Sequence, residues 1–265
     1  MTADTLIAPG RPPDELAVLP IQPGVVVCTG QFIFRWRDLL FPAVALVIGF
    51  GTSPVITAAS MPLDHAVDAV GILVSLGGQV WRILVIGLVY ITRGGQNRQI
   101  WANALVEEGV FAHCRNPLYL GNLLIVAGLA IVHGGWAMYL VTVPFFALAY
   151  SAVVRAEESY LRGRFGDAYA TYCERVPRWW PLVRGLAATW RSGRFDWLKV
   201  LRKEYGTPFG WLSGTFLLLL WEHRSPFAMP LDGRELGLLA GLWTALAIAY
   251  VVARVLKLRG LLGSL

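Results

Sequence analysis

Six apolar runs, separated by polar segments of unequal length, organise this chain of 265 residues. They lie at Leu39–Ser60, Ala66–Ile91, Leu118–His133, Trp136–Arg155, Pro208–Trp221 and Glu235–Lys257. A helix that crosses a bilayer needs about 20 mostly apolar residues, so the third and fifth runs are undersized. The fifth, with its LLLLW centre, reads as a short span or a re-entrant piece. The pattern predicts an all-α fold: a polytopic membrane helical bundle with about six membrane segments. The Gly134-Gly135 turn folds the third and fourth into a helical hairpin. No repeat of fixed period is present. The chain divides into an N-terminal tail (1–37), two first spans (38–95), a core (96–181), a basic connector (182–207) and a C-terminal pair of segments (208–265).

Composition supports this reading. The chain is 56% hydrophobic and 15% charged, against about 25% charged in soluble domains. Eleven tryptophans and nine tyrosines suit a protein with two water–lipid interfaces. Arg35 and Arg37 precede the first run, Arg93 and Arg98 follow the second, and Arg115 precedes the third. The segment after the fourth is rich in arginine, and Arg254, Lys257 and Arg259 close the sixth. The loops Met61–His65 and His133–Trp136 hold no Lys or Arg, so the positive-inside rule predicts both termini in the cytoplasm. In a bacterium the membrane would be the inner one. The net charge of +6 then reads as contact with the cytoplasmic leaflet rather than with nucleic acid.

The tail carries Asp4, Asp14 and Glu15 and lacks the basic n-region of a signal peptide. Cys28, Cys114 and Cys173 form no CxxC pattern, which argues against a disulfide framework. His65, His113, His133 and His223 are scattered, so no metal site is expected.

Candidate chemistry concentrates at two places. The first is GVFAHCRNPLY, Gly109 to Tyr119, just before the third run. Pro117 suits a first helical turn, Asn116 before it can cap that helix through its side-chain oxygen, and Tyr119 offers a hydroxyl at the interface. A capped helix start with an interfacial tyrosine would also explain these residues. The second place is Glu157-Glu158, read as following the end of the fourth run, where adjacent acids oppose the helix dipole and need a partner. That partner is either a neighbouring arginine or a cationic ligand group. Tyr160, Phe165, Tyr169, Tyr172, Trp179 and Trp180 downstream read as an amphipathic surface helix or as packing. The hairpin brings the two places together. Arg82, deep in the second run, costs roughly 2.5–3.5 kcal/mol on insertion scales and calls for a substrate head group or a structural partner.

The order LVEEGVFAHCRNPLYLGN, apolar hairpin, then EESYLRGRFGDAYATYCERVPRWWP resembles the isoprenylcysteine carboxyl methyltransferase and phospholipid methyltransferase superfamily. These are small polytopic enzymes that use S-adenosylmethionine and release S-adenosylhomocysteine. The likeness covers about Gln96 to Pro181. It implies a cofactor set of Gln96, then Asn103, Ala104, Leu105 and Val106, then Phe111, then Asn116, Pro117, Leu118 and Tyr119, closed by Glu157. It implies an acceptor that is a lipid or prenylated small molecule, with carboxyl O-methylation among the options, and a cofactor region on the cytoplasmic side. Arg115, Tyr119 and Glu158 are the candidate catalytic groups, Glu158 as a base for an acceptor that must lose a proton. Arg82 and Arg155 are candidate substrate residues.

Two departures matter. Members of the superfamily usually carry His where Asn116 stands, and the substrate-binding arginine of the isoprenylcysteine branch is Val153 here. Arg155 lies two positions further on and faces elsewhere on a helix. Two other classes compete: a non-catalytic or transport-associated membrane protein, and a membrane reductase with a nicotinamide cofactor, for which no glycine-rich dinucleotide loop is present.

Overall fold

The computed structural model describes residues 24–53, 61–88, 93–96, 99–102, 104–222 and 232–262. Among the described residues eight α-helices follow one another: α1 (Val25–Gly51), α2 (Met61–Leu88), α3 (Pro117–His133), α4 (Val143–Arg175), α5 (Leu186–Ser192), α6 (Trp197–Glu204), α7 (Gly206–Glu222) and α8 (Gly233–Leu258). The fold is an all-α bundle, and the described part of each of the six apolar runs contributes a helix. Three helical stretches are long and apolar enough to cross a membrane: His65–Leu88, Met138–Arg175 and Gly233–Leu258. Pro117–His133 is a shorter apolar helix.

Four boundaries differ from the sequence expectation. Helix α1 starts at Val25, well before the apolar run, and continues through Arg35, Arg37 and Asp38 without a break in its backbone. The division expected at residues 37 and 38 therefore falls inside α1. The division at 95 and 96 falls inside β1 (Arg93–Gln96), which pairs antiparallel with β2 (Gln99–Ala102) in a two-stranded ribbon that the sequence reading lacked. A π-helical turn, Met138–Thr142, leads into α4. Helix α4 then continues past Arg155 to Arg175, so Glu157 and Glu158 are interior residues and the argument from a helix end does not apply.

Gly166 explains how α4 changes direction. Its φ of 51° and ψ of −125° are open only to glycine, and they break the helix in mid-course. The segment beyond it turns Tyr169 and Tyr172 inward against Ala102, Leu161 and Val176. Both tyrosines are 1% exposed, so of the two readings the packing one holds at these positions. At the other end of the hairpin Gly134 adopts the left-handed geometry (φ 67°) that closes α3.

Helices α2 and α3 form the tightest pair, and α1 lies against α4. A cluster of Ile33, Phe34, Ala149, Ala152 and Val153 joins α1 to α4, and Val85, Val106, Val110 and Phe111 join α2 to the loop before α3. Those two seams set the walls of the site.

Candidate active site

The loop before α3 is stitched to the segment after α4. The Arg115 amide donates to the Pro177 carbonyl (3.0 Å) and the Leu182 amide to the His113 carbonyl (2.9 Å). The Tyr172 hydroxyl donates to the Phe111 carbonyl (2.8 Å). His113 bridges the Leu182 carbonyl (3.0 Å) and the Thr189 hydroxyl (2.9 Å). Asn116 occupies the capping position of α3 but makes no side-chain cap. Its amide instead donates to the Arg178 carbonyl at 3.2 Å, because the returning chain supplies a buried acceptor that the capping geometry would leave unpaired. The helix start is fixed by Pro117, whose carbonyl accepts from the Trp81 indole (2.8 Å).

These contacts place Tyr119 on the first turn of α3, facing α4. Its hydroxyl donates to Glu157 Oε1 at 2.6 Å, the short distance of a charge-assisted bond, and Glu157 is 9% exposed. The two motifs meet, as the hairpin argument required.

A cavity of about 460 Å³ opens beside this pair. That lies within the roughly 300–1,000 Å³ range of small-molecule sites. One end is walled by Phe111, Arg115, Asn116, Pro117, Tyr119 and Glu157. The other is walled by Arg37 and Phe41 of α1, Arg82 of α2, Asn122 of α3, and Lys203 and Thr207 around the α6–α7 joint. Tyr150 stands between, its ring centroid 5.3 Å from that of Tyr119.

The remaining expected residues scatter. Leu118 lines the cavity. Glu158 does not: it is held by Arg178 through two bonds (3.0 and 2.6 Å) and by Arg115 at 3.2 Å. Engaged by two guanidiniums and absent from the cavity lining, Glu158 is not placed where a base for a bound acceptor would stand. Burial works against the charge of Arg115, but Glu158 first, then Cys173 and Tyr169, outweigh it, so its pKa is raised. Its Nε is buried without a hydrogen-bond partner among the described residues, although Nη1 reaches Cys173 Sγ at 2.8 Å.

Arg155 is exposed and outside the cavity, since its position on α4 points away from the face that carries Glu157. It is no longer a candidate substrate residue. Ala104 is exposed, Leu105 packs against the buried tyrosine cluster, and Val106 packs against Val85 and Phe111. None of the three lines the cavity. Gln96 ends β1, its side chain outside the described residues, as is Asn103 altogether.

Arg82 finds a structural partner. Its Nε and Nη2 donate to the two oxygens of Glu204 at 2.6 and 2.8 Å, and Nη1 reaches Asn122 Oδ1 and the Leu118 carbonyl. The sequence reading missed Glu204, along with Arg37, Lys203 and Thr207. A lone acid beside a basic run, as in RKEY, was the available signal for the first. Among the described residues no group of three or more His, Cys, Asp or Glu stands close enough to hold a metal ion.

The fold is that of a membrane helical bundle with a mid-sized cavity, lined by Glu157 and several aromatic side chains. Residues 68–168 match the phospholipid methyltransferase family. Three relatives align over parts of the chain. The cobalt-zinc-cadmium resistance protein CzcN of Cupriavidus metallidurans is 34% identical over 132 residues, 49% of this chain and 55% of the relative. The protein-S-isoprenylcysteine O-methyltransferase of Schizosaccharomyces pombe is 32% identical over 79 residues, 30% and 34%. The nickel-cobalt-cadmium resistance protein NccN of Alcaligenes xylosoxydans xylosoxydans is 28% identical over 108 residues, 37% and 50%. The chain thus spans about half the length, or less, of the curated relatives it matches. No solved structure matches it significantly. The match over residues 68–168 and the isoprenylcysteine O-methyltransferase relative both support a likeness to the isoprenylcysteine and phospholipid methyltransferase superfamily.

Proposed function

We propose that the chain is an integral membrane methyltransferase that uses S-adenosylmethionine and acts on a lipid-embedded or isoprenoid-linked acceptor. The observation that carries this reading is the Tyr119–Glu157 bond at the wall of a ligand-sized cavity. The residues present fit the cofactor. It bears an ammonium, a sulfonium and a carboxylate, and the cavity offers an acid, aromatic faces and arginines, one with an unused buried N–H.

The chemistry that group supplies is a sulfonium-bound methyl ready for in-line displacement. The chain's own task is to bind, orient and exclude water, and orientation can supply about 7–11 kcal/mol. Glu157, oriented by Tyr119, would hold the ammonium. Phe111 and Tyr119 would offer aromatic rings to the sulfonium, a contact worth about 0.5–2 kcal/mol. The resemblance adds Gln96, Asn103, Ala104, Leu105 and Val106 to the cofactor set. Arg115, tied to Glu158, keeps the loop before α3 in place.

Calorimetry of the purified protein with S-adenosylhomocysteine tests this. We expect micromolar binding, weakened about tenfold to a hundredfold by Glu157→Gln, as for a lost bond of about 1.5–3 kcal/mol to a charged group. Tyr119→Phe weakens it less. A folded wild-type protein that binds none would overturn the reading. The names of two relatives favour the second reading in that case: an accessory, transport-associated membrane protein without catalysis.

A further inference from the structure

Helix α6 is turned inside out for a helix on an aqueous surface. Trp197, Leu198 and Leu201 share one side through their spacings of three and four, and that side is open: Trp197 is 70% and Leu198 61% exposed. The charged residues point the other way. Lys199 is 7% exposed, and Glu204 is buried against Arg82 and Gln79. A helix facing water turns its charges out and its apolar side chains in, so the open side of α6 calls for an apolar cover.

The place of α6 in the fold indicates what that cover is. The Asp196 amide donates to the Gly87 carbonyl of α2 at 2.9 Å, and the Phe195 ring fills the space where a side chain on Gly87 would stand. Gly87 is one residue from the end of the membrane-length stretch His65–Leu88. The start of α6 therefore lies level with the end of a span, where hydrocarbon gives way to head groups. Trp197, its ring centroid 4.5 Å from that of Phe195, is the residue type that anchors at this depth.

Charge points the same way. The connector from 182 to 207 has two acids, and both are engaged: Asp196 accepts from the Lys199 amide at 2.9 Å to cap α6, and Glu204 holds Arg82. Arg184, Arg191 and Arg194 are exposed on the same connector. An apolar face with a cationic fringe matches an anionic lipid surface. A second copy of the chain fits less well. It would bring like charges together, and three side chains fall far short of the about 800 Å² per partner of a stable interface.

We propose that α6 is an interfacial helix seated in an anionic leaflet at that end of α2. Trp197, Leu198 and Leu201 enter the boundary between head groups and acyl chains, and Arg191 and Arg194 meet anionic head groups. The methyltransferase reading does not enter into this, and all of α6 lies outside residues 68–168. The same helix carries Lys203 to the cavity wall and Glu204 to Arg82, so the leaflet surface bears on that end of the cavity through α6.

Photocrosslinking of the full chain in nanodiscs of phosphatidylcholine mixed with phosphatidylglycerol tests it. Leu198 and, in a separate variant, Leu201 are replaced by benzoylphenylalanine, and mass spectrometry identifies what each probe captures. We expect lipid adducts at both positions, with phosphatidylglycerol over-represented at least about twofold relative to its share of the disc. Arg191→Gln combined with Arg194→Gln should return phosphatidylglycerol to that share and leave the lipid adducts in place. Adducts to peptides of a second copy, or the absence of lipid adducts at both positions, overturn the proposal. Lipid adducts that merely follow the disc composition overturn the choice of an anionic leaflet, as does an excess that survives the double substitution.

Discussion

Cys114 illustrates how a residue beside the site can be chemically silent. It is fully buried, and its thiol donates to the Trp179 carbonyl at 3.2 Å. Burial pushes its pKa from the usual 9.0 up to about 11, against the smaller effects of the Asn116 backbone bond and the Arg115 charge. The thiolate is the nucleophile, so little of it exists near neutral pH. Iodoacetamide at pH 8 followed by mass spectrometry should modify exposed Cys28 first and Cys114 last. The linkage has a definite sign. Below about pH 9 both folded and unfolded chains hold the proton, and between about 9 and 11 only the folded chain does. Stability therefore falls across that window, and the fall should be shallower in Cys114→Val. Rapid labelling of Cys114 in the folded protein, or identical pH profiles, would contradict this. At the residue scale the sequence carried the Tyr119–Glu157 pair because both lie in motifs with recognisable spacing. It did not carry the partner of Asn116, since a short amide before proline can serve either its own helix or a carbonyl 62 residues away.

Between elements, the α2–α3 seam depends on small residues. A Cβ on Gly78 would sit 2.6 Å from the Gly121 carbonyl oxygen and 2.9 Å from Leu124 Cβ, and one on Gly71 would sit 2.7 Å from the Gly128 carbonyl oxygen. Backbone atoms cannot yield as a flexible side chain can. Close packing of this kind is what holds helices together where lipid removes the hydrophobic drive. Gly77, one position away, has nothing within 4 Å. Gly78→Ala should therefore cost about 1–3 kcal/mol through overpacking. Gly77→Ala should be neutral or gain up to about 1 kcal/mol from helix propensity. Thermal unfolding in detergent reads the difference, and equal melting temperatures would refute the seam. The existence of these helices was legible, because runs of apolar residues need no tertiary information. Their ends were not. Arg35, Arg37 and Asp38 break the apolar pattern of α1 without breaking its backbone. Likewise α4 passes through polar residues as far as Gly166 before it bends. The ribbon Arg93–Ala102 offered little strand signal, with Gly94-Gly95 at its centre.

On the scale of the molecule, the Arg82–Glu204 pair decides what the connector and the C-terminal helices do. It links α2 directly to α6, while Asn122 of α3 and Thr207 of α7 bind the same guanidinium. Gln79 donates to Glu204 (3.0 Å) and accepts from the Trp211 indole (3.0 Å), which extends the tie along α7. Four elements, two inside the family-matched segment and two beyond it, thus converge on one buried ion pair whose side chains are 12% and 3% exposed. The sequence marked Arg82 as needing a partner but could not pair it with Glu204, because the two lie 122 residues apart and Glu204 alone resembles a solvated charge. Such a pair is costly to form but far costlier to halve, since the survivor keeps its desolvation penalty without its partner. Glu204→Gln or Arg82→Met alone should cost about 3–5 kcal/mol, whereas Arg82→Met combined with Glu204→Met should recover most of the loss. A double-mutant cycle on melting in detergent measures this. Additive losses would mean that the two side chains do not act as a unit. Strong coupling would mean that the α6–α7 joint is anchored through Arg82, and that Lys203 and Thr207 owe their place in the cavity wall to that anchor.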